Sequence, residues 1–215
     1  MTAAARATAA DANVTDVPAR ERPEHDPTAR PEVPDAWTPV VFDLIEWRRF
    51  EAVCEWLFSQ AGFETQSQSH GADGGIDIWL YSKNFPDGPV SVVQCKHWKT
   101  QPVKVAEVRA LLGSMTDKKV QRGIFATTST FSHDARQFAR ANKIQLLDRT
   151  GLLELIAQRT PAQQRDLLAV ATKGAFWIPT CASCGVKMRR RSRRRDGAGF
   201  WGCVNYPRCK TVIHG

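Results

Sequence analysis

No stretch of the 215 residues comes near eighteen consecutive apolar side chains, and the N-terminus has no basic segment leading into an apolar one. Neither a membrane span nor a secretory signal is expected, so the sequence reads as a cytoplasmic chain with no membrane partner. A glycine-rich phosphate loop ending in Gly-Lys-Ser or Gly-Lys-Thr is also missing, which argues against ATP-driven movement within this chain. Acidic residues are scarce at one end: residues 173–215 hold 1 acidic and 10 basic groups, residues 1–40 hold 7 and 4, and residues 41–172 hold 14 and 16. The net charge of +8 therefore sits almost wholly in the C-terminal tail, where Arg189, Arg190, Arg191, Arg193, Arg194 and Arg195 cluster. A short segment that basic repels itself unless solvent or a polyanion screens it, and nucleic acid is the expected partner.

An apolar content of 42% suits one medium domain with smaller attachments. Residues 1–36 contain almost no large apolar side chain and are expected to be a disordered leader, too short for an independent DNA-reading domain. Over residues 44–61, Leu44, Trp47, Phe50, Val53, Cys54 and Leu57 recur every three or four positions and predict an amphipathic helix, stopped by Gly62. Strands are expected over 63–68, 76–82 and 90–96, a helix over 103–115, then strand 123–127, helix 132–141 from a Ser132 cap, strand 144–147 and helix 151–157. This order implies an α/β domain over residues 41–158, with a mixed central sheet flanked by helices and the early strands forming an antiparallel meander. Residues 159–176 are expected to be a linker, in part a polar helix, ahead of a small unit over 177–215.

The strands at 76–82 and 90–96 form a hairpin whose geometry sets Asp77 opposite Gln94 to Lys96. Gln94 and Lys96 share a face and Cys95 points the other way. A carboxylate, an amide and an ammonium thus converge in sequence otherwise apolar enough to be core. A hard divalent cation such as Mg²⁺, or Mn²⁺, would satisfy Asp77, the backbone carbonyl of Cys95 or Gln94, and waters; Glu51, at the edge of the first helix, offers a second carboxylate. Lys96 would then stabilise the charge of a phosphodiester transition state. On spacing alone, an ordinary cross-strand ion pair between Asp77 and Lys96 explains the pattern equally well.

The run Gly71-Ala72-Asp73-Gly74-Gly75-Ile76-Asp77, followed by Gln94-Cys95-Lys96-His97-Trp98, resembles the catalytic domain of Mrr-like restriction endonucleases. Phe50-Glu51, Val108-Arg109, Leu112-Gly113, Thr127-Thr128 and Leu146-Leu147-Asp148 extend the resemblance over most of residues 45–157. It implies the PD-(D/E)XK nuclease fold, with Asp77 as metal ligand, Gln94 in the usual acidic second position, Lys96 as the motif lysine and Glu51 as the helix carboxylate. It further implies restriction of foreign or modified DNA, and symmetry would favour a homodimer for paired cuts. Asp73 stands second to these as a loop carboxylate. Hydroxyls at 127–130 are expected mainly at strand ends and in the Ser132 cap, His97 to pack, and Cys54 and Cys95 to be core thiols.

Cys181, Cys184, Cys203 and Cys209 are spaced as two knuckles in a unit too small for a core of its own, and a closed tetrahedral Zn²⁺ site is favoured over disulfides. Cys181-Ala182-Ser183-Cys184-Gly185 and Phe200-Trp201-Gly202-Cys203 through Cys209 resemble the C-terminal zinc ribbons of type IA DNA topoisomerases. That resemblance implies DNA binding, particularly to single strands. The arginines would follow a phosphate backbone, Trp201 and Tyr206 are offered as stacking surfaces, and Phe200 is expected to pack. Two functions stand open: a metal-dependent DNA endonuclease acting on double-stranded, modified or single-stranded DNA, or a non-catalytic DNA-binding scaffold that keeps the nuclease fold.

Overall fold

A computed structural model describes residues 26–67 and 75–214 of the chain. Five strands, β1 (Glu64–Ser67), β2 (Ile78–Tyr81), β3 (Ser91–Lys96), β4 (Gly123–Thr127) and β5 (Ile144–Leu147), form one sheet in that spatial order. β1, β2 and β3 pair antiparallel, and β4 and β5 follow in parallel, so the sheet is mixed, as the order of elements implied. The parallel pairs require crossovers, supplied by α3 (Val105–Asp117) and α4 (His133–Ala141). Alternation along β3 then divides the core. Val93 and Cys95 face α2 (Trp47–Gln60) in one apolar layer, and Val92 faces α3 and α4 in the other.

The helix expected over 44–61 is α2, and a short helix precedes it. α1 (Pro39–Leu44) ends where Ile45 turns extended, with φ −75° and ψ 151°, and α2 starts anew after Glu46. Glu46 caps α2 by accepting the backbone N–H of Arg48 at 3.0 Å. Along α2 the residues Phe50, Val53, Cys54, Leu57 and Phe58 are buried, the stripe that the spacing indicated. Gly62, at φ +93°, carries the chain out of the helix toward β1.

Residues 159–176 are not a solvated linker. Thr160 caps α6 (Pro161–Ala171) in a box with Gln163, and Leu167, Leu168 and Ala171 pack into the layer beneath α2. The polar average of this segment hides a short i, i+1, i+4 apolar edge; Gln60 Nε2, from α2, donates to Gln163 O at 3.2 Å. Leu167→Ala is accordingly expected to cost about 2–5 kcal/mol in a denaturant melt, whereas a linker leucine would cost close to nothing.

The leader expectation falls largely on residues outside those described. Residues 26–36 form no helix or strand, but Trp177 Nε1 donates to Thr28 O at 3.2 Å.

A second sheet of three antiparallel strands, β6 (Arg189–Ser192), β7 (Gly199–Gly202) and β8 (Val212–His214), makes up the C-terminal unit with its four cysteines. One buried carboxylate joins this unit to the α/β domain. Glu46, 5% exposed, accepts from Thr180 N, Thr180 Oγ1 and Lys187 Nζ, each at 3.1 Å, in addition to its cap bond. Trp47 Nε1 donates to Thr180 O at 2.8 Å, and Glu46 N to Phe176 O at 2.7 Å. The hairpin bearing Cys181 and Cys184 is thus fastened to the first turn of α2.

Candidate active site and cysteine cluster

The register of β2 against β3 pairs Ile78 with Val93, which carries Asp77 to the level of Gln94. Asp77 N donates to Val93 O at 2.9 Å, and its carboxylate Oδ2 accepts the N–H of Cys95 at 2.6 Å. Asp77 is therefore held at both main chain and side chain against the three residues that carry the motif. Gly75 makes this approach possible. Its φ is +81°, a conformation that strains any side chain, and a Cβ there would crowd Gln94 Nε2 at 2.8 Å.

Gln94 is 8% exposed, and its Oε1 has no hydrogen-bond partner among the described residues. A buried carbonyl oxygen without a partner among the described residues is one that a water or a cation could satisfy. Lys96 is partly exposed on the same face of β3. Its main chain is clamped: Thr127 Oγ1 donates to Lys96 O at 2.8 Å and Thr128 N at 3.3 Å. Thr128 Oγ1 in turn donates to Trp98 O at 2.9 Å. These hydroxyls are committed to holding the end of β3, which is the modest role expected of them.

From the opposite side α2 brings Glu51, five residues after Glu46. Burial above all, and next the charge of Asp77, push its carboxyl up to about 8, with Arg48 pulling the other way. Arg48 Nη1 lies 3.3 Å from Glu51 Oε2. Two carboxyl groups that raise one another's cost of ionisation in a desolvated place form a donor set suited to a hard cation. Asp77, Glu51 and the main chain of Cys95 are the groups that would hold it. The Cys95 side chain faces away, buried beside Cys54, and the Cys54 contact first, with burial next, pushes its thiol well up. His97 also packs: Nε2 donates to Phe42 O at 2.8 Å and the ring tilts against Phe50. Asp73 lies outside the described residues.

Sequence reasoning missed Arg48, Glu46 and Gly75. Arg48 was legible as the i, i+3 partner of Glu51. Glu46 was not, because glutamate is a poor helix cap by propensity and its other partners lie more than 130 residues away.

In the C-terminal unit the four Sγ atoms of Cys181, Cys184, Cys203 and Cys209 all lie within 4.8 Å of one another, and none is in a disulfide. Neighbouring sulfurs are 3.3, 3.5 and 3.7 Å apart. A tetrahedron of ~2.3 Å Zn–S bonds has edges of about 3.8 Å, so the cluster fits such an ion closely. The knuckles supply amide donors as well: Asn205 N approaches Cys203 Sγ at 3.4 Å.

Trp201 is corrected as a stacking surface. It is 7% exposed, packed with Cys181, Met188 and Cys203, and covered by the Arg190 guanidinium 5.7 Å from its ring centre. Arg190 is thereby partly buried, while Arg189, Arg191, Arg193, Arg194 and Arg195 are exposed. Tyr206 is 64% exposed and remains open to a ligand.

A mixed sheet that presents a strand-end carboxylate, a glutamine and a lysine beside a helix carboxylate defines the class of restriction-endonuclease-type α/β domains. Residues 42–156, more than half of the chain, match the family model described as Restriction endonuclease (Mrr_cat), and the chain belongs to that family. It is 30% identical over 128 residues to the type IV methyl-directed restriction enzyme EcoKMrr of Escherichia coli (strain K12), an alignment that takes in 57% of this chain and 41% of that protein. The chain thus spans about two fifths of the length of this curated relative. Among solved structures, the DNA modification-dependent restriction endonuclease AspBHI aligns at 20% identity over 64% of this chain and 41% of its own, with a TM-score of 0.46. The MspJI restriction endonuclease in complex with a 27-mer oligonucleotide aligns at 18% identity over 66% and 34%, with a TM-score of 0.40. None of the described helices is long and apolar enough to cross a membrane.

Proposed function

We propose that this chain is a divalent-metal-dependent DNA endonuclease, acting in restriction of foreign or modified DNA, with a zinc-held C-terminal unit that adds contacts to the nucleic acid. The observation that carries this reading is the Asp77 carboxylate held on the Cys95 N–H at 2.6 Å, with Glu51, whose carboxyl is pushed up to about 8 by burial and then by the charge of Asp77. Mg²⁺ or Mn²⁺ bound there supplies positive charge that acidifies water and offsets the charge gathering on a phosphodiester in the transition state. Asp77 and Glu51 are the carboxylates that would hold that cation. Lys96 places an ammonium beside the scissile phosphate, where it favours the transition state over the ground state. Gln94 Oε1 accepts a hydrogen bond from the attacking water and orients it. Zn²⁺ on the four cysteines is structural, since all four positions of a tetrahedron are taken by sulfur. The exposed arginines of the C-terminal unit neutralise phosphates.

The direct test incubates plasmid, methylated plasmid and single-stranded DNA with Mg²⁺ or Mn²⁺. Cleavage is expected to depend on the divalent ion. Tight binding without cleavage of any substrate would leave the non-catalytic scaffold instead.

Glu51 also predicts a pH dependence. In the folded, metal-free chain it keeps its proton up to about 8, whereas its ordinary value is 4.5. The stability associated with this group is full below about 4.5 and is lost as the pH rises toward 8. Melting temperatures measured without divalent ions should fall across that window, and Glu51→Gln should flatten the fall. Added Mg²⁺ should raise Tm most at the alkaline end, where it competes with the fewest protons. A Glu51→Gln profile that overlays the parent would remove Glu51 from the site.

A further inference from the structure

The end of the five-stranded sheet away from Asp77 and Lys96 carries a groove of about 880 Å³. The turn between β2 and β3, the loop from α3 into β4 and the start of β5 border it. Phe63, Leu80, Val90 and Ile124 give it apolar lining, and Phe85, on the turn, is 66% exposed. β3 runs from Ser91 at this groove to Lys96 at the candidate active site, so the two lie roughly 17 Å apart.

The charged lining is four cations, Lys118, Lys119, Arg122 and Lys143, with one carboxylate, Asp87. Lys118 is paired with Asp117 at 2.9 Å; the other three cations have no ion-pair partner among the described residues. Two of them are neighbours. Gly123 and Ile144 are register partners, and Gly123 N donates to Lys143 O at 3.3 Å, so Arg122 and Lys143 enter adjacent strands side by side. Like charges so placed repel unless an anion lies between them. The backbone is strained at the same place. Lys119, at φ 56°, and Lys143, at φ 55°, are the only residues besides glycine with positive φ among those described, and both line this groove. Each follows the C-cap of a helix, Lys118 of α3 and Asn142 of α4, where glycine adopts this conformation at less cost. A helix dipole favours a cation near such an end, but a lysine one turn earlier would meet that need with an unstrained backbone. Strain and repulsion retained in one groove are what a bound anion would offset.

We propose that this groove binds a free nucleoside triphosphate, with its phosphates on Arg122, Lys143 and Lys119 and its base on the apolar lining beside Phe85. Several phosphates match three unpaired cations, and an apolar surface with an open ring matches a flat base, which an inorganic anion would leave uncovered. The volume lies in the range of small-molecule sites. The chain has no phosphate loop of the Gly-Lys-Ser or Gly-Lys-Thr type, so the nucleotide is an effector held at the far end of the sheet and not a fuel. The inference goes beyond the nuclease reading and does not depend on it.

The test is isothermal titration calorimetry of the full-length, zinc-loaded protein without added divalent metal, using ATP, inorganic triphosphate and adenosine as separate probes. ATP is expected to bind at one site, and inorganic triphosphate at least roughly tenfold more weakly. Arg122→Gln and Lys143→Asn should each weaken ATP binding by roughly tenfold, the loss of one charge-assisted contact. Phe85→Ser should bring ATP down to the affinity of triphosphate and leave triphosphate unchanged. Lys143→Asn should also raise the Tm of the ligand-free protein, because asparagine tolerates the left-handed backbone and removes one of the two adjacent charges. Unchanged ATP affinity in Arg122→Gln and Lys143→Asn, triphosphate binding as tight as ATP, or displacement of ATP by polyglutamate as readily as by GTP would each overturn the proposal. So would displacement by a 5′-phosphorylated oligothymidine at equal concentration, which would give the groove to DNA ends. Cleavage does not enter these readings, so a chain that cuts no DNA yet binds ATP as expected would defeat the nuclease reading alone.

Discussion

Asp77→Asn is expected to lower divalent-dependent cleavage by on the order of 10²–10³-fold while the protein stays folded. The amide oxygen of asparagine still accepts the Cys95 N–H, now 2.6 Å from Asp77 Oδ2, so the local frame survives and only the charge is lost. Losing that charge also relieves Glu51, which Asp77 helps to hold protonated. The pH window over which the metal-free protein loses stability should therefore narrow in Asp77→Asn, and the rise in Tm on adding Mg²⁺ should shrink. Lys96→Ala should reduce cleavage to a similar degree yet leave the Mg²⁺-induced rise in Tm intact, because the ammonium acts on the phosphate and not on the cation. Rate measurements with calorimetric melts of the three proteins separate the roles. If both variants cut DNA as the parent does, the site lies elsewhere.

Chelating the metal proposed for the cysteine cluster, or making Cys184→Ser, is expected to unfold the C-terminal unit and loosen the first turn of α2. Structural zinc contributes about 10–16 kcal/mol of apparent folding free energy in small units, and nothing else in residues 177–215 compares with it. The effect reaches the nuclease domain through Glu46. Three of its four carboxylate donors, Thr180 N, Thr180 Oγ1 and Lys187 Nζ, belong to the hairpin that carries Cys181 and Cys184. Hydrogen exchange should show loss of protection over β6 to β8 and, more weakly, over Trp47 to Phe50. Glu46→Ala, with the zinc retained, should reproduce only the second effect and cost on the order of 3 kcal/mol. Full protection of Trp47 to Phe50 after chelation would mean that the docking contributes nothing to α2.

Local periodicity was enough for most of the fold. Helix and strand spacing, Gly62 as a stop, Ser132 as a cap and the order of elements all emerge from neighbours a few residues apart, and they led to the mixed sheet that the structure contains. Alternation along one strand likewise placed Gln94 and Lys96 together and turned Cys95 away. The misreadings share a cause. The helix α6 was expected, but its packing was not, because its burial comes from α2, a hundred residues earlier, and its own composition is polar.

The sequence by itself determined the class of domain, the positions of Asp77, Gln94 and Lys96 and the cysteine quartet, since each is written in short-range spacing. Only the tertiary structure decided that Glu51 shares its charge environment with Asp77, that Gly75 lies against Gln94, that Glu46 fastens the cysteine unit, and that Trp201 is enclosed. Each of these depends on which distant surface a side chain meets. That is set by strand register and by the balance of desolvation against pairing, quantities that no window of neighbouring residues contains.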